Sequence, residues 1–201
     1  MTALDLDPSA LADAFTVRCG EGVAVDAGFG PTTVDVRPEA WIAALRTARE
    51  DLGLTYFDWL SAVDEGADGM HVVAHVARVG EPGGVGHVLI RTLLAPDALA
   101  LPTAIEVYRG AAWYERETHE MFGIDFVGHP HLVPLLLPDG FEGTPLRKSF
   151  VLATRAAKAW PGAKEPGESE GSTPSRRRNV PPGVPDPSWG PRPPAGAEAG
   201  E

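Results

Sequence analysis

The spacing of apolar residues along the first half of the chain predicts two helices and four strands. Across residues 8–15 and again across 39–52, apolar side chains recur every three or four positions, as in amphipathic helices. Pro38 opens the second of these helices and Gly53 follows its end. Alternation or a high density of branched and aromatic residues predicts strands at residues 33–36, 56–63, 70–79 and 87–94.

Strands that follow one another, with helices set to one side, are typical of an α+β domain. We therefore predict a small, mostly antiparallel sheet with helices on one side, spanning residues 1–109. The glycine-rich residues 80–86 are interpreted as a hairpin connection, because a β-rich stretch follows them where a phosphate-binding loop would need a helix. A weak helix is predicted at residues 101–106.

A different pattern begins at Gly110 and continues to residue 154. A short helix across residues 113–122 carries several charges and ends at Gly123, where a left-handed residue commonly stops a helix. Prolines at 130, 134 and 138 then prevent both a helix and an ordinary central strand. The segment after the helix is apolar as well as extended, so we predict a docking arm that lies against another surface.

The last part of the chain, residues 155–201, has a composition typical of disorder. It contains ten of the twenty prolines and seven glycines, with almost no aliphatic side chains to form a core. Its basic cluster, Arg176 to Arg178, is interpreted as solvated. The negative charge lies in the first 154 residues, with 10 Lys or Arg against 22 Asp or Glu, which argues against nucleic acid as a partner.

The cysteine count and the hydropathy of the chain exclude several further classes of protein. The single Cys19 is too few for a disulfide framework, a thiolate zinc site or an iron–sulfur cluster held by this chain alone. No apolar run approaches the roughly 20 residues that a membrane span needs. The acidic first residues lack the basic region of a signal peptide, so the chain is expected in the cytoplasm, meeting a membrane only through partners.

One run of residues carries a recognisable motif. Its elements are E-R-E at Glu115, E-M-F-G-I at Glu120, G-H-P at Gly128 and P-L-R-K at Pro145. In this order and without a gap, they resemble the signature of the C subunit of NADH-quinone oxidoreductase, the 30 kDa subunit family of respiratory complex I. The chain departs from the family at Val133-Pro134, where a basic pair is usual, and at Thr118-His119-Glu120.

The resemblance implies a structural subunit of the hydrophilic arm that binds no cofactor and has no catalytic residues of its own. The complex transfers electrons from NADH through FMN and iron–sulfur clusters, held by partner subunits, to quinone, coupled to proton translocation. The implied partners are the D, B and I subunits of that complex, and the implied location is peripheral, on the cytoplasmic side of the cell membrane. A related assembly without the NADH module, such as a membrane-bound hydrogenase, is the alternative in this class.

An interface helix followed by a docking arm predicts a set of contact residues, with aromatic anchors and charges that meet a partner. Arg147 is expected to pair with a carboxylate of a neighbouring subunit, because no internal partner is evident from the sequence. The predicted interface comprises Trp113, Tyr114, Glu115, Arg116, Glu117, Glu120, Phe122, Gly123, His129, Pro130, Leu135, Leu136, Pro145, Leu146, Arg147 and Lys148.

A free-standing enzyme is the alternative to a structural subunit. Carboxylates and imidazoles can form an acid–base or metal site, and the candidates are Glu115, Glu117, His119, Glu120, His129 and His131. Helical spacing places Arg116 and Glu120 on one face and Glu115 with His119 on another, so these groups are not expected to converge. His129 is interpreted as a structural, hydrogen-bonded histidine. His71 and His75 share a strand face, but half-buried structural residues are favoured there over a metal site.

Overall fold

The computed structural model describes residues 6–28, 30–80 and 84–150 of the chain. The first helix, α1 (Pro8–Cys19), begins where predicted and runs one turn further than expected. The Asp7 carboxylate caps it by accepting a hydrogen bond from the Ala10 amide at 3.2 Å. Leu11 and Phe15 are buried in the core, which explains the helical spacing of the apolar residues.

The main sheet has five strands in the spatial order β1-β2-β5-β4-β3. Only the β2–β5 pair is parallel, and the other three pairs are antiparallel, so the predicted mostly antiparallel sheet is confirmed. A parallel pair requires a long crossover, and here the connection between β2 and β5 contains the second helix and two further strands. The strands are β1 (Ala24–Asp26), β2 (Thr32–Val36), β3 (Tyr56–Asp64), β4 (Met70–Val79) and β5 (Val85–Leu94).

The second helical region is less regular than its apolar spacing suggested. A short 3₁₀ turn at Pro38–Ala40 leads into α2 (Trp41–Arg46), and a π turn follows at Thr47–Asp51. The Thr47 hydroxyl donates to the Ala43 carbonyl at 3.0 Å, a side-chain bond to the i−4 carbonyl that often accompanies distortion of a helix. Trp41 is nevertheless fully buried in the core that the sheet and the helices share.

The weak helix predicted at residues 101–106 is wrong. A short strand, β6 (Ala100–Pro102), lies there and pairs in parallel with β7 (Asp125–Val127). Leu101 and Phe126, which face each other in this pair, are both buried. The pairing joins segments 25 residues apart in sequence, and such a distant contact overrides a weak local helix preference.

The third helix, α3 (Ala111–Phe122), packs against β3 and contributes Ala111 and Phe122 to the core. Phe57 of β3 lies between Tyr108 and Tyr114, with ring centroids 5.2 and 5.8 Å apart, respectively. The boundary predicted at residue 110 is therefore not a break in packing, because the sheet and α3 share one core. The predicted disorder of residues 155–201 lies outside the described residues, as does the cluster Arg176 to Arg178.

The apolar face of the sheet carries Val34, Leu60, Val72 and Ile90, and all three helices contribute to the same core. The other face carries polar pairs such as Asp35 with Arg91. This arrangement confirms an α+β fold with helices on one side. Within residues 6–28, 30–80 and 84–150, no helix has the length and hydropathy required to cross a membrane.

Candidate interaction site

Helix α3 ends as the sequence predicted. Gly123 has φ of +73° and ψ of +29°, the left-handed conformation, and its amide donates to the His119 carbonyl at 2.7 Å. A Cβ at position 123 would lie 3.1 Å from Nη2 of Arg147 and 3.2 Å from Cγ2 of Thr144. Glycine is therefore required here both for the backbone conformation and for the close approach of the residues that follow.

The residues after α3 form the arm, defined here as residues 128–150, and α3 holds it through backbone hydrogen bonds. Arg116 donates from Nε to the Val133 carbonyl at 2.9 Å and from Nη2 to the Pro134 carbonyl at 2.7 Å. One helical turn later, the Glu120 carboxylate accepts from three consecutive amides. These are the amides of Leu135 and Leu136, each at 2.8 Å, and of Leu137 at 3.3 Å.

These five bonds supply partners that the arm cannot find in a sheet. Proline at 134 and 138 prevents a regular ladder, and buried or half-buried amides and carbonyls need a partner. Arg116 and Glu120 lie on one face of α3, as predicted. The guanidinium of Arg116 therefore donates to carbonyls of the arm, and the carboxylate of Glu120 accepts from its amides. We call this pair with its five backbone bonds the clamp.

A second set of contacts fastens the end of the arm. The Leu146 amide donates to the Met121 carbonyl at 3.1 Å, and Arg147 donates from Nε to the Phe122 carbonyl at 2.5 Å. The Lys148 amide donates to the Asp64 carboxylate at 2.7 Å, and this bond is the main cause that lowers the pKa of Asp64. Each of these bonds ties the arm to α3 or β3.

Arg147 thus has the internal partner that the sequence analysis assumed to be missing. Its guanidinium bonds a carbonyl at the C-terminal end of α3, where a positive charge is also favoured by the helix dipole. The reason for the error is that the arm folds back over Gly123 instead of leaving the domain. A pair between Arg147 and a neighbouring subunit stays a prediction.

Glu115 is fully buried and links α3 to the loop after β6. Its carboxylate accepts from the Thr103 hydroxyl at 2.5 Å and from the Ala104 amide at 2.6 Å. Removal from water raises the pKa of Glu115 above its ordinary value, although both hydrogen bonds and the nearby His129 oppose the shift. These contacts connect α3 to the loop after β6, so Glu115 acts inside the chain and has no surface to offer a partner.

Replacing Glu115 with alanine should lower the free energy of unfolding by about 2–4 kcal/mol, because a buried amide and hydroxyl lose their acceptor. Glutamine keeps an acceptor for Ala104 and should stay within about 1 kcal/mol. A raised folded pKa means that the native chain binds the Glu115 proton more tightly than the unfolded chain does. The stabilisation that the protonated carboxyl group contributes is therefore lost as pH rises from about 4.5 through the folded pKa. Urea unfolding across that range checks both points.

In the urea series, the wild-type chain should lose stability relative to Glu115→Gln as pH rises. A difference between the two proteins that is constant with pH would show that Glu115 does not titrate with a raised pKa in the fold.

His129 is hydrogen-bonded within the chain, as predicted. Its Nδ1 accepts from the His131 amide at 3.0 Å, so the ring proton lies on Nε2, which donates to the Ala112 carbonyl at 3.0 Å. These two bonds fix the turn at the start of the arm. The His119 ring is also engaged locally, with Nδ1 2.8 Å from the Ile124 carbonyl oxygen.

The remaining predicted interface residues divide by exposure. Leu136 has 60% of its surface exposed, and Trp113, Pro130, Leu146 and Lys148 are exposed as well. Glu115, Glu120 and Phe122 are buried, and the residues of intermediate exposure are Tyr114, Arg116, Glu117, Gly123, His129, Leu135, Pro145 and Arg147.

Large apolar side chains are thus turned outward on the arm while its backbone is turned toward α3. We call them, together with the adjacent tryptophan of α3, the arm surface: Trp113, Val133, Leu136, Phe141 and Leu146, all of which are exposed. Four of these five side chains lie on the arm, and exposed apolar surface of this kind is typical of a protein interaction site.

The carboxylates and histidines proposed for an enzyme site do not converge. Glu115 faces the loop after β6, Glu120 faces the arm, and His119 and His129 bond backbone carbonyls. Within the described residues, no group of three or more His, Cys, Asp or Glu side chains is arranged to hold a metal ion. The geometry therefore favours the interaction site over the acid–base alternative.

Residues 34–156 match the family model of the respiratory-chain NADH dehydrogenase 30 Kd subunit. The C subunit of NADH-quinone oxidoreductase from Rhodobacter capsulatus is 38% identical over 141 residues, which cover 66% of this chain and 67% of that protein. Proteins named as the C/D subunit of the same oxidoreductase match over a shorter stretch. The one from Pseudomonas fluorescens (strain SBW25) is 49% identical over 63 residues, 31% of this chain and 11% of its own length.

Two solved structures share the fold. The trypsin-resistant fragment (1-134) of Nqo5 superposes with a TM-score of 0.52 and 21% identity, covering 62% of this chain and 97% of the fragment. A chain of the membrane-bound sulfane sulfur reductase, an archaeal respiratory membrane complex, gives a TM-score of 0.59 and 21% identity, covering 81% of this chain and 96% of its own length. The match across residues 34–156, together with the Rhodobacter relative, shows that the chain belongs to the respiratory-chain NADH dehydrogenase 30 Kd subunit family.

Proposed function

We propose that this chain is the non-catalytic C subunit of a proton-translocating NADH-quinone oxidoreductase, and that its arm docks on a neighbouring subunit. The observation that carries the proposal is the orientation of the arm. Arg116 donates two hydrogen bonds to its backbone and Glu120 accepts three from it, while Leu136 and the rest of the arm surface face outward. A segment held in this way is preorganised, so it loses little conformational freedom when it binds.

The D subunit is the neighbour that the comparisons support. Some relatives are named as a C/D subunit, so one protein carries both subunit designations, and one polypeptide keeps its two parts close together. The B and I subunits are proposed as further contacts on the resemblance alone. An acidic body with an apolar arm fits protein partners that offer apolar pockets with a basic rim.

In this proposal, the partner subunits carry out electron transfer. FMN and the iron–sulfur clusters would be held by other subunits, since this chain has one cysteine, Cys19, which is buried at the end of α1. We also propose that the chain is peripheral, on the cytoplasmic side of the membrane, where the complex would pass electrons from NADH to quinone.

A related complex without the NADH module is the second candidate. Its support is the fold shared with the archaeal sulfane sulfur reductase, which covers 81% of this chain. The 38% identity to the Rhodobacter protein favours the NADH-linked complex instead, because that relative is named for NADH-quinone oxidoreductase. The electron donor distinguishes the two: a purified complex that reduces quinone with NADH supports the first, and one that requires another reductant supports the second.

Truncation tests the proposal in the assembled complex. Removing residues 160–201 should leave assembly and NADH-quinone reductase activity within about twofold of wild type, because these residues lack the composition of a core. Ending the chain at Leu137 should abolish both, because the fastening at residues 146–148 and part of the arm surface are lost. Co-purification of the partner subunits with a tag at the first residue is the measurement.

A tail deletion that alone prevents assembly would make the tail a binding element. A chain ending at Leu137 that still co-purifies with its partners would contradict docking through the arm.

A further inference from the structure

The arm and the end of α3 form a cavity between them. Its volume is about 330 Å³, and its lining comes from residues 119–123 and 134–144. This volume is at the small end of the roughly 300–1,000 Å³ that ligand sites have, so the cavity suits a single long side chain. Phe141 lines the cavity and also belongs to the arm surface, so the cavity is continuous with the proposed interface.

Apolar side chains of the arm supply part of the cavity lining. They are Pro134, Leu137, Pro138 and Phe141. Such a lining suits the methylene stem of a long side chain whose tip is charged.

The polar groups that line the cavity are mainly hydrogen-bond acceptors. Nδ1 of His119 donates to the Ile124 carbonyl, so the lone pair of the neutral ring is on Nε2. The carboxylate of Glu120 accepts three amides, which leaves about one of its roughly four acceptor positions. Asp139 is exposed, and its carboxylate accepts no hydrogen bond from the described residues.

The cavity also has an excess of negative charge. Glu120 and Asp139 line it, whereas none of the described lysines and arginines does. Arg116 and Arg147 are near, but each donates to backbone carbonyls and neither lines the cavity. An occupant that complements this lining has a positively charged tip with several donors.

We propose that the cavity receives an arginine side chain of the neighbouring subunit, an inference that rests on the proposed docking of the arm. A guanidinium is planar and has five N–H donors, so it can bond a carboxylate and an imidazole nitrogen while its face packs on an apolar wall. The compact ammonium group of lysine fits such a lining less well. Residues 1–154 carry 10 Lys or Arg against 22 Asp or Glu, a balance of −12, which favours a basic partner.

Charge reversal at Asp139 tests the cavity in the assembled complex. Asp139→Lys should lower co-purification of the partner subunits at least about 10-fold, because an ammonium group then faces the incoming guanidinium. Asp139→Asn removes the charge and keeps the shape, so a loss of about 3-fold is expected. The free chain should melt as wild type does in both variants, since Asp139 is exposed.

Glu142→Lys is the matched control. Glu142 is exposed on the same loop but does not line the cavity, and the substitution changes the net charge equally. Co-purification should stay within about twofold of wild type. Equal losses in Asp139→Lys and Glu142→Lys would overturn the proposal, because they would reflect general electrostatic attraction.

Normal assembly of Asp139→Lys would also overturn the proposal. Leu136→Asp in the same assay separates the cavity from the docking of the arm. If Leu136→Asp fails to assemble while Asp139→Lys assembles, only the cavity proposal is lost. If both assemble normally, docking through the arm is lost as well.

Phenylglyoxal, which modifies arginine in preference to lysine, identifies the occupant in the purified complex. We expect one arginine of a partner subunit to be protected in the wild-type complex and modified in the Asp139→Asn complex, as measured by mass spectrometry. Unchanged modification of every partner arginine would overturn the assignment. Protection of Arg176, Arg177 or Arg178 instead would assign the cavity to this chain's own C-terminal segment and overturn docking of a partner arginine.

Discussion

Glu120→Ala should release residues 135–137 from α3 and make the amides of Leu135 and Leu136 exchange with solvent roughly 100-fold faster. The three amides bonded by this carboxylate lose their only described acceptor. Two strong charge-assisted bonds together contribute about 3 kcal/mol to local opening, which corresponds to a rate factor of about 100. Hydrogen exchange measured on the free chain checks this result.

The same substitution should reduce assembly, because the arm surface loses its orientation. Glu117→Ala is the matched control for the exchange measurement on the free chain, since Glu117 lies on the same helix and makes no described hydrogen bond to the arm. Glu120→Gln keeps one oxygen acceptor, so an intermediate exchange rate is expected. Amide exchange in Glu120→Ala as slow as in wild type would show that the clamp does not hold the arm.

Leu136→Asp should weaken association with the complex more than 100-fold while leaving the free chain folded. Leu136 is 60% exposed in the free chain, so its replacement removes little packing there. At an interface, the loss of a buried leucine costs about 2 kcal/mol, and an unpaired buried carboxylate adds at least about 1–3 kcal/mol. Co-purification of the partner subunits, with thermal melting of the free chain, measures both effects.

The control for this substitution lies at the far end of β4. Val79 is 67% exposed and lies beside the hairpin between β4 and β5, away from the arm in sequence and in the fold. Val79→Asp should assemble as wild type does. Equal assembly of Leu136→Asp and wild type would mean that the arm surface is not an interface.

Regular patterns made part of this fold predictable. The alternating and branched residues at 70–79 predicted β4 with the bounds the structure has, and its core face is formed by the buried Met70, Val72, Ala74 and Val76. The helical spacing before Gly123, with glycine as the stop, predicted the end of α3 in the same way. In both cases the information lies within a dozen neighbouring residues.

Contacts between distant residues were not predictable in this way. The parallel pairing of β2 with β5 and the short strand β6 depend on partners far along the chain, and β6 was predicted as helix. The bulge at Asp58 leaves no mark in the sequence pattern, since it depends on how β3 pairs with β4. Long-range pairing of this kind sets strand register more strongly than local propensity does.

The residues of the candidate site were named from the sequence, but their hydrogen-bond partners within the chain were not predicted. Arg116 and Glu120 were correctly predicted to lie on one helical face, yet their charges were expected to meet a partner protein. A signal was available: an apolar arm whose prolines prevent a ladder leaves backbone groups in need of partners, and opposite charges one turn apart can supply them. Glu115 carried no such signal, because its partners, Thr103 and Ala104, lie in a loop that was predicted as a weak helix.

Site-specific photo-cross-linking in the assembled complex tests most directly the claim that the arm docks on a neighbouring subunit. A photoreactive phenylalanine derivative placed at position 136 should form a covalent product with another protein of the complex, expected to be the D subunit. The same group at position 79 should give no such product. Mass spectrometry of the products identifies the partner. Cross-links from position 136 that reach only this chain, or none at all while the complex is intact, would contradict the account.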